Sequence, residues 1–386
     1  MFAQPAQLTR LFVGMDVHKD NHAAVATNCF GEKIWQEELG NSPADFKKLV
    51  VHIRLLSIER NLSPVFGLED TSGSGNFLAR HLFASGLEVK TVNPVLVKTL
   101  RKYETHPEKS DLTDALGVAK VLIEKIDTLP AFSITETTEL ARDLHALVKD
   151  RDTVVKEQTR LKNQLHKALH AAYGSPYKEV FKNIFAKKAL LFWIEFPSAK
   201  NIFSTKKRVA KPDWIVHAKK EELPATTVPL EHQVQRKAKR LIAIWDELNE
   251  IEKETKELVE QTGQKLNTLR GCGTTLSAAV LSEVKDIARF SSPAKFAKYA
   301  GIAPKRYESG KKKRCVKTKS GNRRLHKAFY QIALTQISNQ GLPKAKEYFK
   351  KKVEEGKSKK HALVCLMRQI SDIIYSMLKN KRAYYS

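Results

Sequence analysis

The stretch Leu11-Phe12-Val13-Gly14-Met15-Asp16-Val17-His18-Lys19 decides how the rest of the chain is read. An apolar run of this length suits a β-strand covered on both faces. A carboxylate inside such a strand is costly unless a cation or a metal compensates it. Asp16 is therefore either half of an ion pair or the first ligand of a metal site.

Working outward, Asn21 to Asn28 and Glu32 to Glu38 read as two further strands, separated by turn signals at Asp20-Asn21 and Cys29-Phe30-Gly31. A helix over 42–60 follows, with Ser42-Pro43 as its start signal. The strand Pro64-Val65-Phe66-Gly67-Leu68-Glu69 ends in a carboxylate beside Asp70-Thr71-Ser72-Gly73. A helix from Gly75 to Ser85 and a strand from Leu87 to Val92 come next, then a helix opened by Lys109-Ser110-Asp111-Leu112-Thr113-Asp114-Ala115-Leu116 and running to Lys125. A meander of strands followed by alternating helices and strands describes a mixed α/β sheet flanked by helices. Asp111 and Asp114 share one helix face. Taken alone they are ordinary first-turn acids behind a Ser110 cap. Together with Asp16 in mid-strand and Glu69 at a strand end, they supply the Asp, Glu, Asp and Asp that a ribonuclease-H-like nuclease core needs. Oxygen ligands suit Mg²⁺, and two such ions roughly 4 Å apart can clamp the attacking and leaving oxygens of a phosphodiester.

Gly14-Met15-Asp16-Val17-His18-Lys19, Gly67-Leu68-Glu69 and Lys109-Ser110-Asp111-Leu112-Thr113-Asp114-Ala115 resemble the motifs of the DEDD transposases of the insertion sequence 110 family, which carry a RuvC-like nuclease domain at the N-terminus. The resemblance implies that Asp16, Glu69, Asp111 and Asp114 bind Mg²⁺, with Mn²⁺ as the alternative. His18 and Lys19 read as solvated strand-end residues or phosphate contacts.

Charge marks the other end of the chain. The sequence holds 68 Lys+Arg against 42 Asp+Glu, a net of +26; residues 263–386 hold 29 against 7, and the first 262 hold 39 against 35. A basic excess confined to one third of a chain is the footprint of a polyanion surface, with nucleic acid favoured over membrane. No apolar run reaches the length of a membrane span, and the four cysteines form no CxxC pair. Both fit a cytoplasmic, nucleoid-associated protein.

Three regions follow: a RuvC-like domain over 1–130, a helical assembly region over 131–262, and a basic helical domain over 263–386. In the middle, Leu140, Leu144, Leu147, Val154, Leu161 and Leu165 fall on heptad spacing, as do Val234, Ala238, Leu241, Trp245 and Leu248. They predict a coiled coil within or between chains, the polar interruptions Arg151 and Gln158 favouring an inter-chain seam and a homo-oligomer, dimer or tetramer. Lys206-Lys207-Arg208 and Lys211-Pro212-Asp213-Trp214 read equally as a nucleic-acid contact or an exposed loop.

In the last region, Leu269-Arg270-Gly271-Cys272-Gly273-Thr274-Thr275-Leu276 has the form of a helix-hairpin-helix, in which Gly271, Gly273 and Thr274 would bring backbone N–H groups to a phosphate. The block that follows reads as a basic loop: Lys305, Arg306, Tyr307, Glu308, Ser309, Gly310, Lys311, Lys312, Lys313 and Arg314, then Lys317, Lys319, Ser320, Gly321, Asn322, Arg323 and Arg324. Flanking cations can stabilise a serine alkoxide and a phosphoryl-transfer transition state, although Ser-Gly is also a common turn. The block is similar to the C-terminal domain of the same family, whose serine before the first glycine is the proposed nucleophile; that points to Ser309, with Tyr307 and Ser320 as runners-up. Lys311 stands where family members often carry a second glycine. The surrounding Lys and Arg residues with Asn322 would bind DNA.

The resemblance implies a transposase that cuts and rejoins element-end and target DNA, guided by a structured RNA encoded beside its gene. The rivals are a metal-dependent nuclease or junction resolvase using water, and a non-catalytic nucleic-acid-binding protein.

Overall fold

The computed structural model describes residues 5–69, 73–102, 110–207, 215, 217, 222–309, 312–316 and 320–384. They fall into two compact units, Met1–Glu139 and Leu140–Ser386.

In the first unit a short helix α1 (Pro5–Leu8) leads into β1 (Arg10–Val17), β2 (Asn21–Thr27), β3 (Lys33–Gly40), α2 (Pro43–Arg60), β4 (Ser63–Leu68), α3 (Asn76–Ala84), β5 (Glu88–Thr91), α4 (Pro94–Arg101) and α5 (Asp111–Lys125). The five strands form one sheet in the order β3-β2-β1-β4-β5. The β1–β2 and β2–β3 pairs are antiparallel, and β1–β4 and β4–β5 are parallel. This mixed five-strand sheet with covering helices is consistent with a ribonuclease-H-like fold.

Strand alternation sorts the side chains of β1. Leu11, Val13 and Met15 belong to the core shared with Leu49 and Ile53 of α2 and Leu78 and Leu82 of α3. Phe12 faces the other way, into a cluster with Val118, Val121 and Leu122 of α5. Gly14 is on that same face. A Cβ there would lie 2.1 Å from the Ala115 carbonyl oxygen and 2.4 Å from the Ala119 nitrogen. Helix α5 thus rests its backbone directly on the strand, an approach only glycine permits.

The second unit holds α6 (Glu136–Tyr173, its first turn in the first unit), α7 (Lys187–Glu195), α8 (Ala199–Ser204), α9 (Val228–Gln261), α10 (Thr274–Val284), α11 (Pro293–Tyr299), β6 (Lys305–Ser309), β7 (Lys312–Val316), α12 (Arg323–Ile337), α13 (Pro343–Glu354) and α14 (Lys359–Asn380). Val154, Leu161 and Leu165 of α6 and Val234, Ala238 and Leu241 of α9 share one core, so the two heptad stripes meet inside the chain. The helices run antiparallel: Arg240 bonds Glu157 and Lys237 bonds Gln164, while Leu144 and Val259 lie together at the opposite end. Tyr173 and Trp193 stack edge to face in the cap over the far end. No helix among the described residues is long and apolar enough to cross a membrane.

Two sequence expectations change here. The element before the Gly271 turn is a three-residue 3-10 helix, Leu266–Thr268, not the first helix of a helix-hairpin-helix. Gly263 (φ +66°) ends α9 and leaves too few residues for another helix before Leu269. The basic block also forms a β-hairpin rather than a loop, with Ser309 of β6 paired to Lys312 of β7.

Candidate active site

The register of β1 and β4 places Met15 beside Leu68, so Asp16 and Glu69 follow at the same end of adjacent parallel strands. Helix α5 runs antiparallel to β1, Leu122 near Phe12 and Ala115 on Gly14. Two strand residues beyond Gly14 rise about 6.6 Å; four helix residues back from Ala115 rise about 6 Å. That matching brings Asp111 to Asp16. Ser110 caps α5 in a capping box with Thr113, setting where its first turn begins.

The ligand atoms of Asp16, His18 and Asp111 all lie within 4.8 Å of one another. His18 Nε2 bridges the two carboxylates, 3.2 Å from Asp16 and 3.4 Å from Asp111. Asp114, one helical turn further in, is paired with the Arg101 guanidinium of α4. Asp16 is only 8% exposed. Burial lifts its carboxyl above the ordinary range, Asp114 and Asp111 lift it further, and His18 opposes them. Burial, then the charges of Asp16 and Asp114, pushes Glu69 up to about 7 against the pull of Arg101 and His18. Asp16 therefore senses Asp111 and Asp114, and Glu69 senses Asp16 and Asp114.

The structure brings Asp16 and Asp111 together with His18 in one cluster and leaves Glu69 and Asp114 beside it, Asp114 held by Arg101. Hard oxygen donors with two raised pKa values nearby fit a divalent cation, which relieves their negative potential. Asp16, Glu69, Asp111 and Asp114 would hold it, with His18 beside them. His18 and Arg101 are the members that sequence reading did not place in the site. The i, i+2 relation of His18 to Asp16 was a usable signal; for Arg101 no local signal exists, since α4 meets α5 only in the fold.

Glu69 gives a pH prediction. Its folded-state pKa of about 7 lies above the ordinary value of 4.5, so the folded chain binds this proton more tightly than the unfolded chain. The stabilisation is full below pH 4.5 and is lost as pH rises through 7. Cation binding at pH 6 must expel the proton; affinity is expected to rise by up to about tenfold per pH unit and to flatten above 7. Calorimetry in two buffers of different ionisation enthalpy checks it, and Glu69→Gln removes the proton release.

The second unit holds the other predicted residues. The feet of the β6–β7 hairpin are clamped. Gly301 (φ +68°) and Gly321 (φ +117°) pack backbone to backbone, a Cβ on Gly321 lying 2.5 Å from Gly301 Cα. Asn322 N–H donates to the Tyr299 carbonyl at 2.7 Å, and its side chain donates to Glu283 and to the Tyr299 hydroxyl. The Asn322 side-chain oxygen caps α12 by accepting from Leu325 N–H. Arg324 turns inward, 3.0 Å from His145 and 3.6 Å from Glu283. Burial alone would raise the Glu283 carboxyl, but His145, Asn322 and Arg324 bring it below the usual range.

Asn322 and Arg324, expected on DNA, bond to Tyr299, Glu283 and His145 beneath the hairpin, while Arg323 is exposed. Gly271 (φ +86°) packs on Thr335 and the Ile332 carbonyl of α12; Gly273, which precedes Thr274 at the start of α10, has open space beside it. Lys305, Arg306, Lys312, Lys313 and Arg314 lie on the hairpin strands with Ser309. Lys311, Lys317 and Lys319 lie outside the described residues, as do Asp70 to Ser72, Arg208 and Lys211 to Trp214.

Comparison with known proteins decides the family. The DEDD transposase model of the IS110 type, described as Transposase, matches residues 13–173, and the model described as Transposase IS116/IS110/IS902 family matches residues 263–350. The chain belongs to the IS110 family of insertion-sequence transposases. It is 24% identical to the uncharacterized 44.8 kDa protein of insertion element IS116 from Streptomyces clavuligerus, over 97% of this chain and 96% of that one. It is also 24% identical to the transposase for insertion sequence element IS1328 of Yersinia enterocolitica, over 77% and 78% of the two chains. A pilin gene-inverting protein of Moraxella bovis is 22% identical over 98% of each chain. As an IS110-family transposase the protein is a DNA phosphoryl-transfer enzyme, and its DEDD domain implies a divalent metal.

Proposed function

We propose that this transposase cuts and rejoins strands at the ends of its own element with two chemical parts, the DEDD quartet and Ser309. The observation that carries the reading is the cluster of Asp16 of β1 and Asp111 of α5 with His18, beside which stand Glu69 at the end of β4 and Asp114 of α5. Mg²⁺, or Mn²⁺ in its place, supplies Lewis-acid stabilisation of the phosphoryl oxygens when bound. Asp16 and Asp111 orient that charge from a rigid strand and a capped helix, and His18 keeps the two carboxylates in register.

Ser309 ends β6, opposite Lys312, on a hairpin whose feet are clamped by Gly301 and Gly321. Its Oγ attacks the scissile phosphorus and its proton passes to water. The P–O bond to the departing strand breaks, and the freed hydroxyl takes up a proton from solvent. The product is a phosphoserine link that the hydroxyl of the other DNA end resolves by the reverse displacement. A link that stores the bond energy suits rejoining without loss of nucleotides, and the likeness to pilin gene-inverting proteins supports such a cycle.

A structured guide RNA encoded beside the gene would read the target by base pairing, and a dimer or tetramer would bring two ends together. Lys305, Arg306 and Lys311 to Arg314 would line the strand backbone.

The test is trapping. Wild-type protein with element-end DNA and Mg²⁺ should give a covalent adduct at Ser309, identified by peptide mass, and Ser309→Ala should lose adduct and rejoining alike. If Ser309→Ala still nicks at the wild-type rate, water is the nucleophile and the resolvase reading replaces this one.

A further inference from the structure

Between the two ends lies a charge pattern that the linear sequence hides. Residues 140–262 hold 24 Lys+Arg against 17 Asp+Glu, and the antiparallel pairing of α6 and α9 sorts these charges by position. At the base, residues 140–152 and 245–262 hold 5 Lys+Arg against 10 Asp+Glu; the far part, residues 153–244, holds 19 against 7. The base packs on the basic last third: Leu144 and Val259 enter its core, Asp152 pairs with Lys327, and His145 with Glu283. The far part carries a net of +12.

The helix positions show where that charge points. Lys156, Arg160 and Lys167 stand at i, i+4 and i+11, one exposed stripe of α6 on the side away from Val154, Leu161 and Leu165. Arg236 and Arg240 form the matching exposed stripe of α9, away from Val234, Ala238 and Leu241. The links Arg240–Glu157 and Lys237–Gln164 cross the seam between these stripes. The two stripes therefore lie on the flank of the pair that these links cross, each toward the outer side of its helix, with helix axes about 8–10 Å apart. Lys156 to Lys167 spans about 16 Å. Of these cations Arg240 is paired, with Glu157; Lys156, Arg160, Lys167 and Arg236 pair with no acidic side chain among the described residues. Crowding is felt inside the face: burial, then Arg240 and Arg236, lowers the pKa of Lys237.

We infer that this face of the α6–α9 pair is a second DNA-binding surface, which grips the phosphate backbone of a duplex without reading its sequence. The Tyr, Trp and Phe rings described in this part are buried or half-buried. Tyr173, Tyr177, Trp193 and Phe196 are buried, and the exposed large apolar side chains described there are Leu191 and Val228. Single-strand binders need exposed rings on which bases stack; a face of cations alone fits a duplex backbone. The surface is independent of Ser309 and of the quartet, and DNA is the substrate of the family.

The test uses the full chain, a fluorescent random-sequence DNA duplex and an RNA hairpin, with anisotropy measured across a salt series. Lys156→Ala/Arg160→Ala/Lys167→Ala/Arg236→Ala is expected to lower the slope of log affinity against log salt by about 3.6, at about 0.9 per phosphate contact. DNA affinity at 0.15 M salt should fall at least about tenfold. The pairs Lys156→Ala/Arg160→Ala and Lys167→Ala/Arg236→Ala should each give about half the change in slope, so one unstable combination does not end the test. Lys33→Ala/Lys47→Ala/Lys48→Ala/Arg60→Ala removes equal charge from the first unit and should leave the slope unchanged. An unchanged slope in the first variant, an equal loss in the control, or a loss confined to the RNA hairpin overturns the proposal.

Discussion

Asp16→Asn is expected to cripple DNA cleavage, with a loss of about 10²- to 10³-fold, while leaving the fold intact. Removing one preorganised electrostatic contact from a phosphoryl- or acyl-transfer site costs about 10² to 10³, and Asp16 is the most buried of the four carboxylates. Thermal stability should move the other way. Burial, Asp114 and Asp111 all penalise the ionised form of Asp16, so a neutral amide of the same shape relieves repulsion in the metal-free protein. The metal-free variant should melt at or above the wild-type temperature. Wild-type protein gains about 2.7 kcal/mol from a cation present at 100 times its dissociation constant; the variant should gain little. Melting curves with and without Mg²⁺, beside a cleavage assay, check both halves. A variant that keeps the full cation-induced gain would show that Asp16 is not a ligand.

Gly14→Ala should be the most damaging small substitution in the first unit. Its added methyl meets backbone atoms of α5, at 2.1 Å and 2.4 Å, and no side-chain rotation can relieve that. The helix must move outward. Overpacking of this kind costs about 1–3 kcal/mol, and rigid backbone neighbours place this case at the upper end. A drop in melting temperature of about 10 °C follows for a unit of this size. The same shift carries Asp111 and Asp114 away from Asp16, and a displacement of about 1 Å in such a site costs about 10²-fold in rate. Gly117→Ala is the control. Its Cβ would meet Val97 Cγ1 at 2.8 Å, a side-chain atom that can yield, and its effect should be well under half as large.

Apart from α1 and α4, the strands and helices of the first unit were legible from residue pattern: β1 as an apolar run with Asp16 inside it, β4 as one ending at Glu69, and α5 from its Ser110 cap. Their boundaries fell within one or two residues, because strong alternation and capping signals are local. The β6–β7 hairpin was not legible, since Lys305 to Val316 has neither apolar alternation nor an Asn-Gly turn. Nor was the inward turn of Arg324, because His145 and Glu283, which receive it, are distant in sequence.

What the sequence by itself determined is the chemistry on offer: four carboxylates on three elements, a serine among cations, and a basic last third. Those follow from residue identity and short-range spacing. Only the tertiary structure decided that Gly14 lets α5 touch β1, which gathers the carboxylates and raises Glu69 to about 7. Only antiparallel packing of α6 on α9 could divide a middle of net charge +7 into an acidic base and a basic far end. Both are consequences of which surfaces meet, and no local pattern encodes a meeting between residues a hundred positions apart.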